Sequence, residues 1–382
     1  MNRLIYASTA ICPDLRYETG FDAHDPFLWF QTDTINAMVV SQLEYGRALK
    51  QRRPEVQVID SGRIREFFRL APESEQERQR DAFIRLMEAV GQGTGVREWT
   101  VPAGFPYGCA CKMQQLGLAL KTAEPFSPGR AVKSPQEIEA IRQGERLAEI
   151  GLAAADAMLA EAAIGDDEML YCHGEPLTAE MLRGAIDAAI AAHGGIASGT
   201  IAAPGPQGAD PHQAGTGPIR ANTPIVIDIF PRDQRSGYCG DLTRTRVKGM
   251  APAHVQRAYE AVLECQRRAL AALRPGAMGK ELQEQTVQFF RAQGFPEGRD
   301  EATGLYHGFF HGLGHAVGLE VHDLGPALNT RGTTPLAVGH VVTVEPGLYY
   351  PEWGGIRIED TVAITADGID NLAVASKHLV IE

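Results

Sequence analysis

The stretch Phe310-His311-Gly312-Leu313-Gly314-His315-Ala316-Val317-Gly318-Leu319-Glu320-Val321-His322-Asp323 packs three histidines and three glycines into a chain that has only 11 histidines. His311 and His315 have the spacing of a zinc-holding helix, but Gly312 stands where such a helix carries its glutamate base. Gly312, Gly314 and Gly318 would each cost a helix interior about 1 kcal/mol relative to alanine. The stretch therefore reads as an extended, bulged segment. Its glycines let the backbone pass close to a neighbour, and its histidines are aimed one by one.

The chain around it, 382 residues, accommodates about two domains on a prior of roughly 150 residues each. Residues 1–129 alternate strand-like runs (Pro26 to Phe30, Ala37 to Val40, Val56 to Asp60) with helical ones (Leu43 to Gln51, Glu75 to Val90), the pattern of a small α/β domain. Gly91-Gln92-Gly93-Thr94-Gly95 lacks the lysine of a phosphate cradle and opens no helix, so it reads as a turn. Prolines and a glycine between Ala123 and Arg130 mark a linker. A helix then starts on Ser134 as N-cap, with Pro135 first and Glu137 closing a capping box, and runs to about Ala162. Thr178 to His193 forms a second helix, followed by strands at Thr200 to Ala203 and Pro224 to Phe230. The order recurs: helices over Pro252 to Leu273 and Lys280 to Gln293, the glycine-histidine stretch, then strands over Val341 to Glu345 and Ile356 to Ile364. Residues 130–382 thus read as a duplicated α+β unit.

A formal net charge of −12 argues against nucleic acid or an anionic membrane surface as partner, since either favours a basic face. No window approaches the run of about 18 apolar residues that spans a membrane, and the N-terminal apolar run, stopped by Pro13, reads as a strand rather than a signal. The 6 cysteines lack metal-ligand spacing and read as free thiols of a cytoplasmic protein.

Four acids stand in strand-like, largely apolar settings where an unpaired carboxylate is costly. Asp228 closes an apolar strand, Asp241 follows a polar turn at hairpin distance, Glu345 precedes Pro346-Gly347, and Glu359 sits in Gly355-Ile356-Arg357-Ile358-Glu359-Asp360. Together with His315 they point to a metal centre. Four carboxylates and a neutral imidazole balance two divalent cations, and such a pair makes a hydroxide available as nucleophile. Oxygen-rich ligation with one nitrogen suits manganese, cobalt or zinc rather than a thiolate site, and manganese is the expected metal.

In that order and context Asp228, Asp241, His315, Glu345 and Glu359 resemble the five metal ligands of the pita-bread metallopeptidases: methionine aminopeptidase, prolidase and Xaa-Pro aminopeptidase. His311-Gly312-Leu313-Gly314-His315, Val344-Glu345-Pro346-Gly347-Leu348-Tyr349 and Gly355 to Asp360 are most similar to the proline-specific branch. The resemblance implies an α+β chain with a pita-bread catalytic domain carrying an internal pseudo-twofold repeat, a small α/β creatinase-type N-terminal domain, and association as a homodimer. It further implies that Asp241 and Glu359 bridge two metal ions, that Asp228 completes one, and that His315 and Glu345 complete the other. Glu345 is implied as general base and proton shuttle, His212 and His322 as catalytic histidines that meet substrate, and His311 as a pocket residue. Arg357, two residues from Glu359, is expected on substrate or behind the ligands.

Two departures from the family pattern stand out. The aspartates are thirteen apart rather than eleven, with Phe230 where glycine is usual, and Gly199 stands where prolidase-like enzymes often have tyrosine. The implied function is hydrolysis of the bond between an N-terminal residue and proline, with short proline-containing peptides as substrates and dipeptides favoured. The alternatives are a pita-bread hydrolase or lyase acting on a non-peptide small molecule, or a pita-bread binding module without catalysis.

Overall fold

The computed structural model describes residues 2–382, and the chain divides into two compact units, one ending at Pro128 and the other beginning at Gly129. In the first, β1 (Arg3–Ala7), β2 (Phe27–Gln31), β3 (Asn36–Val40), β4 (Gln57–Asp60), β5 (Glu98–Pro102) and β6 (Ala119–Ala123) form one sheet ordered β4-β3-β2-β1-β5-β6. The run Phe27-Leu28-Trp29-Phe30 is apolar at every position because both sheet faces are covered. Leu28 and Phe30 enter one core with Leu4 and Val39, while Phe27 and Trp29 enter another with Ile5 and Met38.

Two expectations in this unit are corrected. The helix expected over Glu75 to Val90 is two pieces, Glu75–Arg78 and Ala82–Thr94. Asp81 breaks it, its carboxylate capping the second piece by accepting from the Phe83 and Ile84 N–H groups. Gly91 to Gly95, expected as a turn, continues that helix to Thr94, and Gly95 at φ 70 ends it in the left-handed conformation that glycine adopts most cheaply.

The second unit opens with α1 (Pro135–Glu161), started by the reciprocal Ser134–Glu137 capping box. Helix α2 (Ala179–Ala192) packs on it. Strands β7 (Ile201–Pro204), β8 (Ile225–Ile229) and β9 (Leu242–Lys248) follow as antiparallel neighbours. Next come α3 (Ala253–Ala272), α4 (Gly279–Ala292) and a second strand group: β10 (Val341–Val344), β11 (Gly347–Tyr350), β12 (Gly354–Arg357) and β13 (Asp360–Thr365). The helix-helix-strands order therefore occurs twice, and each half buries its own core. Leu152, Ile186, Ile190, Ile225 and Ile227 fill the first; Val262, Leu282, Phe290, Val342 and Ile358 fill the second.

The strand expected over Ile356 to Ile364 is interrupted, with β12 ending at Arg357 and β13 starting at Asp360. At the break the Glu359 N–H donates to the Thr243 carbonyl of β9 at 3.0 Å, a bond that ties the two halves together. Among the described residues no helix is long and apolar enough to cross a membrane.

Candidate metal centre

Each half contributes its acids from equivalent places. Asp228 lies in β8 opposite Thr243, and Asp241 immediately precedes β9. Glu345 immediately follows β10 and Glu359 immediately precedes β13, whose register pairs Val344 with Asp360. Strand ends are where a side chain can leave the ladder and point into a shared space. The glycine-histidine segment lies along β10, with His315 N–H donating to the Thr343 hydroxyl at 3.1 Å and Thr343 N–H donating to the His315 carbonyl at 2.8 Å. A Cβ at Gly314 would stand 2.0 Å from the Thr343 carbonyl oxygen, so this approach requires glycine there.

All five ligand candidates, Asp228, Asp241, His315, Glu345 and Glu359, line one cavity of about 810 Å³, together with His212, His311, His322 and Arg357. Donor atoms of Asp241, His315 and Glu359 lie within 4.8 Å of one another. His315 Nε2 stands 3.5 Å from Asp241 Oδ2 and 3.6 Å from Glu345 Oε1. These distances exceed the N···O hydrogen-bond range of about 2.7–3.2 Å. They suit co-ligands instead, since two atoms about 2.1 Å from one ion at a tetrahedral angle are about 3.4 Å apart.

The electrostatics also call for cations. Burial pushes the Asp241 and Glu345 carboxyls well above the ordinary range, and the neighbouring Glu359 and Asp228 push them further. Glu359 is raised to about 8 by burial and then by Asp228. Asp228 Oδ1 is buried without a hydrogen-bond partner. His315 is held down at about 4 by burial and then by His322. Its Nδ1 faces the Ala316 carbonyl at 3.3 Å, so the proton sits there and Nε2 presents its lone pair to the acids. A neutral imidazole among surplus carboxylates, one with an orphaned oxygen, is a donor set that fits divalent metal.

The other expected residues divide by their partners. The His322 ring centroid lies 4.1 Å from that of His315, and His212 lies on the cavity wall after β7. His311 is bonded on both ring nitrogens: Nδ1–H donates to the Gly312 carbonyl at 2.7 Å and Nε2 accepts from the Tyr349 hydroxyl at 2.8 Å. Burial, then the charge of Arg357, lowers its pKa to about 3. Arg357 donates to Tyr349 Oη at 3.0 Å, Thr243 Oγ1 at 3.2 Å and Asp228 Oδ2 at 2.7 Å, so its guanidinium is engaged behind Asp228. Tyr349, the joint between His311 and Arg357, has no sequence signal beyond its place in the Glu345 motif.

Glu145 is also missed by sequence reasoning. It sits on α1, fully buried, and its Oε1 accepts the Asp241 N–H at 2.7 Å. The helix comes this close because Gly144 faces Gly240: a Cβ on either would lie 2.4 Å or less from the other's backbone. Burial raises Glu145 to about 8, so near pH 7 it is largely an uncharged acid. Glu145→Ala should cost about 1–3 kcal/mol by orphaning a buried N–H, whereas Glu145→Gln keeps an acceptor and should stay within about 1 kcal/mol at pH 7. Thermal denaturation of both variants checks this; equal losses would remove the hydrogen bond from the account.

Comparison with known proteins gives this geometry a family. Residues 139–366 match the model of metallopeptidase family M24. The chain is 30% identical over 310 residues to an Xaa-Pro dipeptidase of Pyrococcus horikoshii, covering 80% of each chain. It is also 38% identical over 145 residues to an uncharacterized peptidase, YqhT, of Bacillus subtilis, a match spanning 38% of that protein. Among solved structures, the Pyrococcus horikoshii prolidase superposes with a TM-score of 0.75 at 26% identity, covering 99% of this chain and 95% of the other. The X-Pro aminopeptidase of Thermotoga maritima shares the fold with a TM-score of 0.81 at 21% identity, covering 99% and 97%. With its α+β pita-bread architecture, the chain belongs to metallopeptidase family M24 and is a divalent-metal-dependent enzyme.

Proposed function

We propose that this enzyme hydrolyses the bond between an N-terminal residue and proline, acting on Xaa-Pro dipeptides ahead of longer Xaa-Pro peptides. The observation that carries the reading is the convergence of Asp228, Asp241, His315, Glu345 and Glu359 on one cavity. Support for the substrate class comes from the Xaa-Pro dipeptidase relative matched over 80% of each chain. Asp228, Asp241, His315, Glu345 and Glu359 would hold the divalent metal, Asp241 and Glu359 each serving both of two ions, Asp228 one of them, and His315 with Glu345 the other. Manganese is the metal we expect for this oxygen-rich set. When bound, divalent ions supply an acidified water as nucleophile and polarise the scissile carbonyl.

The chain's own residues do the rest. Glu345 accepts a proton from the attacking water at its carboxylate and returns it to the leaving proline nitrogen. That nitrogen belongs to a tertiary amide without an N–H. Recognition therefore cannot rest on that donor, and a site addressing the carbonyl and the free amine loses nothing at proline. His212 and His322 orient the substrate from the cavity wall, and Arg357, anchored by Tyr349, holds Asp228 in place. A cytoplasmic location agrees with the free cysteines, three of them buried, and we expect a homodimer, which light scattering would measure.

Protein stripped with chelator and reloaded with Mn²⁺, Co²⁺ or Zn²⁺ should release proline from Ala-Pro and Leu-Pro, and be inactive while stripped. Failure to hydrolyse any Xaa-Pro dipeptide or Xaa-Pro-Yaa peptide with any of these metals would sink the proposal.

A further inference from the structure

The two departures from the family pattern, Gly199 and Phe230, meet in space. The β7–β8 register sets Ile201 opposite Asp228, and Gly199 and Phe230 lie just beyond that end of the paired strands. Alternate residues of a strand share a face, so Phe230 lies on the same side as Asp228. Gly199, Ile201, Asp228 and Phe230 all line the cavity. Gly199 has a φ of +78, and a Cβ there would stand 3.1 Å from Phe230 Cζ and 3.2 Å from Cε2. The ring tip thus covers the bare backbone of Gly199. Pro231 confines Phe230 to extended backbone and keeps the ring on this face. Phe230 itself is only half-buried, so part of it faces the cavity.

We infer that Phe230, seated on Gly199, is the specificity-determining wall for the residue ahead of proline, and that it selects Xaa with a bulky apolar side chain. The inference rests on the proposed Xaa-Pro reading. The cavity is rich in acids, histidines and an arginine; Phe230 and Ile201 are its apolar residues from the Asp228 strand pair, with Pro211, Phe310 and Val321 elsewhere in the lining. On this reading the Xaa end lies along the Asp228 strand, beside the ring of Phe230. The scissile carbonyl is bonded directly to the Xaa Cα, so the Xaa side chain falls within reach of a residue two positions along the same strand face, roughly 7 Å away. A charged Xaa side chain gains nothing from the ring and loses hydration.

The test is kcat/KM of the manganese-loaded wild type, Phe230→Ala and Phe230→Leu on Gly-Pro, Leu-Pro, Phe-Pro and Asp-Pro, and on the matching Xaa-Ala series. Wild type should prefer Leu-Pro over Gly-Pro, Phe230→Ala should reduce that ratio by about tenfold, and Phe230→Leu should keep it within about twofold. A purely structural ring would lower all substrates together and leave the ratio intact, which would overturn the inference. Dependence on Phe230 that follows the second residue instead of Xaa would also overturn it. Cleavage of Xaa-Ala but of no Xaa-Pro would remove the proline reading while leaving the Xaa preference, and its dependence on Phe230, readable on that series.

Discussion

Glu359→Gln is expected to lower metal content per chain and to reduce kcat/KM on Xaa-Pro dipeptides by about 10³-fold or more, with the fold retained. Glu359 is 2% exposed. Its Oε2 accepts from the Thr243 hydroxyl at 2.7 Å, and its backbone N–H donates to the Thr243 carbonyl. Glutamine can keep both contacts but replaces an anionic donor with a neutral amide, where charge stabilisation by the ions matters most. The same change should have the opposite effect on the metal-free protein. Glu359 has a folded pKa of about 8, above its unfolded value, because burial and then Asp228 disfavour its charge. Its contribution to stability is fully present below the unfolded pKa near 4.5 and is lost as pH rises through about 8. Metal-free wild type should therefore melt lower at pH 8 than at pH 5. Metal-free Glu359→Gln should melt above wild type at pH 8, by roughly 5 °C, and added metal should stabilise wild type far more than the variant. Metal analysis with calorimetry at the two pH values measures all three quantities. A variant that binds full metal and hydrolyses Leu-Pro normally would remove Glu359 from the site.

Asp360→Ala is expected to destabilise the catalytic unit by about 3–5 kcal/mol, a fall in melting temperature of roughly 10 °C. Arg244 and Asp360 side chains are both 0% exposed and paired at 2.8 Å. Asp360 also accepts from Asn371 and Lys377. Burial alone would raise this carboxyl, yet Arg244 and Lys377 hold it below the ordinary range. Removing it leaves a guanidinium uncompensated in the core. Arg244 Nη1 also donates to the Glu359 carbonyl, so the loss should propagate to the neighbouring candidate ligand and weaken metal binding as well. Because the folded pKa is depressed, the stability Asp360 supplies is present above its unfolded pKa and lost as pH falls through the folded value. Calorimetry of wild type and variant at neutral and acid pH checks this, and a change within 1 kcal/mol would contradict the buried-pair argument.

Legibility in the sequence followed the range of the interactions concerned. The Ser134–Glu137 capping box, helix α2 with its Thr178 cap, and the Asp228–Asp241 strand pair were readable because caps, periodicity and hairpin spacing are local. The breaks at Asp81 and Glu359 were not. Asp81 had to compete with a helical period around it, and Glu359 leaves its strand for a carbonyl 116 residues away. Glu145, and the role of Tyr349 within the Glu345 motif, were invisible for a related reason: each carries a side chain ordinary for its element, and its role comes from a partner far along the chain.

By itself the sequence determined the order of elements, the duplicated helix-helix-strands plan, the candidate donors, and glycines around His315 that only an extended segment tolerates. These follow from propensities and spacing within a few residues. Only the tertiary structure decided that His311 is bonded at both nitrogens while His315 presents a free lone pair to Asp241 and Glu345. It alone brought Arg357 behind Asp228 and set Phe230 over Gly199. Those outcomes depend on which strands pair and in what register, and a shift of one residue would turn each of these side chains to the opposite face.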